Sequence, residues 1–336
     1  MFKIENQATG KVFRTNGDSA ILDDALIHGV NFPYGCQKGF CGKCKATIIE
    51  GEVTYEGDVP NGITPEEVAD GMALLCQCHA KSDVALVVDE LDSVADIEIR
   101  TLPCKVQSIK HLNHDVTQIF LKIPNAESLQ YLAGQYIDLH HPDFEPRAFS
   151  IANAPSNDGL IELHVRLIEG GKFTNFIFNQ LKEKSLLQLE GPKGDFFFRE
   201  ESKKPVILMA GGTGFAPVKS IVEHAIATKL NREIYLYWGV RDALDLYMDL
   251  PQQWADEYDN IHFVPILSQP NEKWQGRKGL VHEGILEDFE DLTGYEVYAC
   301  GPPEMVKSAA KSFVEQGMIQ DNFFSDAFVF AFTKSP

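Results

Sequence analysis

Three cysteines stand in the run Y-G-C-Q-K-G-F-C-G-K-C, at Cys36, Cys41 and Cys44, and Cys76 follows with 31 residues between it and Cys44. One short loop must aim three thiolates at a common centre while a distant strand supplies a fourth. The pattern C-x4-C-x2-C…C is the sequence form of that geometry around a plant-type 2Fe-2S cluster. Gly35, Gly39 and Gly42 suit the same loop, because without a Cβ they reach positive φ and turn backbone N–H groups toward sulfur. Such hydrogen bonds help set a cluster's potential. Cys78, in L-L-C-Q-C-H, competes with Cys76 for the fourth place.

A structural zinc site would show two knuckles of the C-x2-4-C or Cys/His kind, and the x4 spacing with one late cysteine fits that poorly. Disulfides are disfavoured because M-F-K-I-E-N-Q holds no apolar signal core, so the chain reads as cytoplasmic. No window approaches a membrane-spanning apolar run, and a net charge of -19 argues against nucleic acid and anionic lipid. Residues 1–95 already hold 15 Asp/Glu against 7 Lys/Arg. That excess would steer a positively charged protein partner to the cysteine-bearing segment.

The 336 residues suffice for two or three domains. D-E-L-D-S-V-A-D-I-E-I-R closes the cysteine-rich part near residue 100, and E-E-S-K-K-P at 200–205 is a charged, Pro-terminated joint. Three domains are expected, over 1–95, 100–200 and 203–336. In the first, F-K-I-E and K-V-F-R read as a hairpin, I-L-D-D-A-L-I-H-G as a helix and A-T-I-I-E-G-E-V as a strand. The second is a series of short alternating strands, C-K-V-Q-S-I, T-Q-I-F-L-K-I, Q-Y-I-D-L-H, A-F-S-I-A, L-I-E-L-H-V-R and L-L-Q-L-E, which suggests an antiparallel six-stranded β-barrel. The third alternates strand and helix as a parallel α/β sheet. P-V-I-L-M-A runs into Gly211-Gly212-Thr213-Gly214, and the helix after it carries Val218, Ile221, Val222 and Ala225 on one face. Strand, glycine turn and helix form a phosphate cradle. Later, Y-E-V-Y-A ends in Cys300-Gly301-Pro302-Pro303, where a proline starts the next helix.

Within the barrel segment, Arg147-Ala148-Phe149-Ser150 resembles the R-x-Y/F-S/T flavin motif of the ferredoxin-NADP reductase superfamily. An arginine there can pair with a flavin pyrophosphate, an aromatic can lie on the isoalloxazine, and a hydroxyl can bond near N5. Gly171-Lys172-Phe173-Thr174 opens a helix whose N-terminus would take the other phosphate end, and His164 and Arg166, which share one face of the strand before it, are candidates for binding the same cofactor. G-G-T-G-F-A-P followed by C-G-P-P-E-M resembles the nicotinamide half of the same superfamily, and F-F-S-D-A-F its C-terminus. The resemblance implies that Ser150, Cys300 and Asp326 gather near flavin N5 and the nicotinamide ring, and that Phe328 covers the flavin. It also implies a β-grasp ferredoxin domain ligated through Cys76 rather than Cys78.

The domain order resembles that of the iron–sulfur flavoprotein reductases of oxygenases and hydroxylases, and loops such as Y-L-A-G-Q-Y-I-D-L resemble most the branch serving 3,6-dideoxysugar synthesis. The resemblance implies a monomeric oxidoreductase with a 2Fe-2S cluster and FAD. It would pass electrons from NADH to a dehydrase, oxygenase or hydroxylase component. Asp242, after the second strand of the third domain, would repel a 2′-phosphate and favours NADH, while Arg241 leaves NADPH as the alternative. A self-sufficient flavin or ferric reductase would leave the ferredoxin domain superfluous, and a redox sensor would not need the nicotinamide motifs. His111, His114, His140 and His141 read as lacking the carboxylate partners of a metal site.

Overall fold

A computed structural model describes residues 1–91, 97–124, 129–155 and 159–328, so part of the joint D-E-L-D-S-V-A-D and the last residues of the third segment lie outside the described residues. The chain divides into two compact units, Met1–Glu98 and Ile99–Pro336.

In the first unit, β1 (Phe2–Asn6) and β2 (Val12–Thr15) form the expected antiparallel hairpin, and α1 (Ile21–Ile27) buries Ile21, Leu22 and Ala25. The cysteine loop leads into β3 (Lys45–Glu50), followed by β4 (Val53–Tyr55), α2 (Pro65–Ala69), β5 (Met72–Leu74), β6 (Cys78–Ala80) and β7 (Val84–Val87). The sheet order is β2-β1-β7-β3-β5, with β1 and β7 parallel and the other pairs antiparallel. This mixed sheet with one packed helix is the β-grasp arrangement. The run A-T-I-I-E-G-E-V is two strands rather than one. It breaks at Gly51, whose φ is +96° and where a Cβ would stand 2.1 Å from the carbonyl of Asp83.

The second unit begins with the six antiparallel strands that the sequence marks: β8 (Arg100–His111), β9 (Val116–Lys122), β10 (Tyr136–His141), β11 (Phe144–Ser150), β12 (Leu160–Arg166) and β13 (Leu186–Lys193). Their order, β11-β10-β13-β8-β9-β12, is closed into a barrel by the bridge from Ile151, just past β11, to Leu163 in β12. Alternate residues Ile161, Leu163 and Val165 enter its core beside Phe173 and Ile177 of α3 (Lys172–Asn179). Burying each such side chain contributes about 1.5–3 kcal/mol.

The rest of the unit is the parallel sheet. Its elements are β14 (Val206–Gly211), α4 (Phe215–Ala227), β15 (Ile234–Val240), α5 (Leu250–Glu257), β16 (Ile261–Leu267), β17 (Arg277–Lys278), α6 (Val281–Asp288), β18 (Glu296–Gly301), α7 (Pro303–Glu315) and β19 (Phe323–Ala327). The order β17-β16-β15-β14-β18-β19 reverses direction at β14, and a crevice at the carboxyl end of such a switch point is where ligands bind. Every residue of β14 is buried, as a strand covered on both faces requires. The charged joint at 200–205 is no break in packing. Val116, Phe196 and Phe198 from the barrel segment share one apolar cluster with Leu208, Phe215 and Trp238.

Candidate functional site

The cysteine loop brings the four thiols together in two close pairs, Cys36 with Cys41 and Cys44 with Cys76. The backbone N–H groups of Lys38 and Cys41 each donate to Cys36 Sγ at 3.4 Å, and the N–H of Cys36 donates to Cys41 Sγ at 3.4 Å. Accepting from Cys41, then from those N–H groups, holds the Cys36 thiol down at about 5 against the opposing effect of burial. Cys76 is lowered by its pairing with Cys44, and Gly39 also offers it a backbone N–H. Their partners Cys41 and Cys44 are pushed up by the same two pairings and by burial, so one thiol of each pair is held low. Four converging sulfurs in a nest of N–H donors are the donor set that a 2Fe-2S cluster needs. Gly39 and Gly42 adopt φ of +74° and +76°, and Cβ atoms there would meet Pro60 at 2.8 Å and the Gly62 carbonyl at 2.9 Å.

Cys78 lies in β6, wholly buried, and burial pushes its thiol up to about 12. Two braces of this loop escaped sequence reasoning. Gly62 donates to the Gly39 carbonyl at 2.7 Å, and Gln77 Nε2 donates to Gln37 O at 3.0 Å, fixing Gln37 at φ +51°. A non-glycine residue at positive φ marks such a brace, and only the folded backbone displays it.

On the barrel, the R-A-F-S strand ends at Ser150, which is 9% exposed and opposite Tyr136. Arg147 Nη1 donates to the carbonyls of Pro146 and Glu145 at 2.8 and 3.3 Å, while Ala148 is exposed. Phe149 meets Phe173 edge-on at 6.3 Å. Gly171 caps α3 through its backbone, beside exposed Lys172. The hydroxyl of Thr174 accepts from Ile168 N at 3.2 Å, and a Cβ on Gly171 would lie 2.5 Å from it.

In the parallel sheet, the two nicotinamide motifs touch although Gly211 and Cys300 are 89 residues apart. A Cβ on Gly211 would lie 2.8 Å from Pro302 Cδ, and one on Gly214 would lie 2.1 Å from the Cys300 carbonyl. Backbone therefore packs on backbone at the carboxyl ends of β14 and β18. Cys300 stands opposite Ala210 on one side and Asp326 on the other, and Phe328 N donates to Gly301 O at 2.9 Å. Thus Gly211, Gly214, Cys300, Gly301, Pro302, Asp326 and Phe328 form one patch. Cys300 is wholly buried, within the apolar cluster of Phe215 and Trp238. Gly212 and Thr213 complete the turn, the Gly212 carbonyl accepting from Trp238 Nε1 at 2.9 Å.

His164 and Arg166 do share a face of β12, but that face is turned to the nicotinamide subdomain. Both His164 ring nitrogens are engaged, Nδ1 with Tyr247 OH at 3.1 Å and Nε2 with Glu162 Oε1 at 2.9 Å. Burial holds its pKa below the usual histidine value, with Glu162 opposing. Arg166 Nε donates to Asp115 Oδ2 at 2.6 Å, Nη2 reaches Asp245 at 3.4 Å, and a Cβ on Gly212 would come 2.7 Å from Nη1. The expectation that the histidines lack carboxylate partners is corrected for three of the four, while His111 Nδ1 meets the Thr117 hydroxyl at 2.9 Å. His114 lies 3.9 and 3.8 Å from Asp115 and Asp245, His140 lies 3.6 Å from Glu190, and His141 lies 3.8 Å from Asp143. Asp115 and Asp245 are drawn together by the Arg166 guanidinium, a long-range grouping that no local pattern shows.

Among the described residues no helix is long and apolar enough to cross a membrane. The 2Fe-2S iron-sulfur cluster binding domain family matches residues 4–81, the oxidoreductase FAD-binding domain family residues 103–198, and the oxidoreductase NAD-binding domain family residues 208–311. The chain is 44% identical over 321 residues, 96% of each chain, to the CDP-6-deoxy-L-threo-D-glycero-4-hexulose-3-dehydrase reductase of Yersinia pestis. It is 32% identical to the phenol hydroxylase P5 protein of Acinetobacter pittii, over 98% of this chain and 95% of that one. The crystal structure of the reductase GcoB from Amycolatopsis superposes with a TM-score of 0.83 at 31% identity, covering 98% of this chain and 99% of that one. With three cofactor domains in this order and full-length likeness to such reductases, the chain belongs to the iron–sulfur flavoprotein reductases of the ferredoxin-NADP reductase superfamily, oxidoreductases that pass electrons from NADH through FAD and a 2Fe-2S cluster to a partner protein.

Proposed function

We propose that this chain is the electron donor of a dehydrase acting on a CDP-linked 6-deoxy-4-hexulose, with NADH as its reductant. The likeness at 44% identity over 96% of both chains supports that acceptor above the hydroxylase and oxygenase components served by relatives nearer 30%. The division into 1–95, 100–200 and 203–336 goes with this reading, as do a monomeric state and a cytoplasmic location. FAD, when bound, accepts a hydride as an electron pair and releases the electrons singly, and the cluster carries them one at a time.

The observation that carries the site assignment is the contact of the G-G-T-G turn with Cys300-Gly301-Pro302 at the switch point. That turn would receive the NADH pyrophosphate on backbone N–H groups, and the buried Cys300 with Asp326 would keep water from the nicotinamide ring. Arg147 would exchange its bonds to Glu145 and Pro146 carbonyls for the flavin pyrophosphate, and Lys172 with the α3 turn would meet its other end. Ser150 would present its hydroxyl near N5, Phe149 would lie on the ring, and Phe328 would cover the opposite face. Cys36, Cys41, Cys44 and Cys76 would hold the cluster. Asp242, whose carboxylate accepts from Leu244 N at 2.8 Å, lies two residues past the end of β15, where an added 2′-phosphate would meet its charge.

The test is reconstitution. Purified holoprotein, NADH and the dehydrase with its CDP-sugar should turn over, and NADPH should serve at least about tenfold less well, since a like-charge contact near a protein surface costs about 1–4 kcal/mol and about 1.4 kcal/mol is tenfold. Turnover with a phenol hydroxylase oxygenase and none with the dehydrase would overturn the acceptor. Equal use of NADPH would overturn the role of Asp242.

A further inference from the structure

Strand β12 reads L-I-E-L-H-V-R, and its alternation would normally give one face to the barrel core and one to water. The apolar face does fill the barrel, yet the polar face is buried too: Glu162 is 3% and His164 5% exposed. Each of its three residues has a partner in the nicotinamide subdomain. Glu162 Oε2 accepts from Lys219 Nζ at 2.8 Å, His164 meets Tyr247, and Arg166 meets Asp245.

The same subdomain grips the segment that follows the flavin motif, residue by residue. Lys219 Nζ donates to the Ala152 carbonyl at 3.2 Å, Ser220 Oγ donates to the Asn153 carbonyl at 2.7 Å, and Glu223 Oε2 accepts from Ala154 N at 3.2 Å. Lys219 also pairs with Glu223 at 2.7 Å, so the clamp is internally stiff. These three side chains lie on one stripe of α4, which starts directly after the G-G-T-G turn. Ala152 is two residues past Ser150, and Lys219 is five past Gly214. His164 in turn stacks on Phe215, Phe215 on Trp238 at 4.1 Å, and Trp238 holds the Gly212 carbonyl.

A buried Lys–Glu pair does little for net stability, because the cost of removing both charges from water offsets their attraction. What directed hydrogen bonds add is geometry. The clamp on Ala152–Ala154, together with the bonds of Glu162 to Lys219, His164 to Tyr247 and Arg166 to Asp245 along β12, fixes one body against the other, whereas an apolar seam allows sliding. We infer that Lys219, Ser220 and Glu223 of α4, locked to Ala152–Ala154 and Glu162, are positioning residues that set the spacing between the flavin strand and the nicotinamide turn, and so the rate of hydride transfer. In that step the hydride leaves C4 of NADH with its bonding electron pair for N5 of the flavin, NADH being oxidised and the flavin reduced. The inference rests on the cofactor assignments proposed above.

The experiment uses the full holoprotein under anaerobic stopped flow, with protiated and C4-deuterated NADH. Lys219→Met should slow flavin bleaching about 10- to 100-fold, the range expected when reacting atoms are displaced by about 1 Å. FAD content should be unchanged, the NADH dissociation constant should move less than about threefold, and the isotope effect should become more temperature-dependent. Lys219→Arg should restore most of the rate. Ser220→Ala, which removes a single bond, should slow transfer about three- to tenfold, and it decides the matter if Lys219→Met does not retain FAD. Wild-type bleaching rates in FAD-loaded Ser220→Ala, or a loss matched by weaker NADH binding, would overturn the positioning role. If the wild type itself did not bleach with NADH, the cofactor assignments would fail instead.

Discussion

The cysteine loop of the first unit and the flavin–nicotinamide seam of the second are built on opposite plans. In the loop, three of the four thiols fall within residues 36–44, and the backbone N–H groups that hold them come from the same stretch. In the seam, Glu162 meets Lys219 across 57 residues and His164 meets Tyr247 across 83. A site whose thiols and donors come mostly from one loop rests largely on local conformation, so its residue types and spacing betray it, although Cys76 and the braces from Gly62 and Gln77 come from outside the loop. A site made of distant partners exists only once strand register and helix placement are set.

The largest effect should separate two neighbours in the first unit. Cys76→Ser should abolish iron and sulfide incorporation and cytochrome c reduction while sparing NADH-to-ferricyanide activity, because ferricyanide can draw from the flavin. Cys78→Ser should keep the cluster. Iron analysis and visible spectra decide, and loss of iron in the Cys78 variant would break the local reading of the loop.

Next is Gly214→Ala. Its Cβ would stand 2.1 Å from the Cys300 carbonyl, and neither backbone can yield without parting β14 from β18. Overpacking of this kind costs about 1–3 kcal/mol. NADH affinity should fall by at least about tenfold, with the cluster spectrum of the first unit unchanged. A cluster that also changed would show that the two units do not behave separately.

A smaller effect comes from acid. Burial alone would raise the Glu162 carboxyl, but His164 and Lys219 outweigh it and hold it at about 2. The unfolded carboxyl titrates near 4.5, so the contribution of its ionised form is present above that pH and is lost as pH falls toward about 2. Buried His164 acts in the same direction and earlier. Its folded pKa is lowered from 6.5, so the unfolded chain binds the proton first and stability declines below that pH. Bound flavin should therefore be released on acidification, and Glu162→Gln should flatten the steep part below pH 4.5 while lowering stability at neutral pH. Identical acid profiles for both proteins would remove Glu162 from the seam.

Much of the fold was legible because periodicity speaks for elements one at a time. All six barrel strands, the helix bearing Val218, Ile221, Val222 and Ala225, and the proline start of α7 fall where the sequence places them. Local turns that depend on a neighbour's backbone were not legible, as at Gly51. His164 and Arg166 illustrate the harder limit. Period two correctly puts them on one face, but only the packing of α4 and Tyr247 shows that the face meets protein. The acidic excess of residues 1–95 is legible as charge alone. Raising salt from about 50 to 500 mM should slow delivery to the acceptor several-fold and leave hydride transfer nearly unchanged, since screening reaches only the exposed encounter.

The central claim is an ordered path from NADH through the flavin to the cluster. Anaerobic stopped flow with NADH and holoprotein should show flavin absorbance falling first and cluster absorbance falling after it, and in the cluster-free Cys76→Ser protein the first phase should persist at an unchanged rate. Cluster bleaching that precedes the flavin phase, or a flavin phase that vanishes with the cluster, would contradict it.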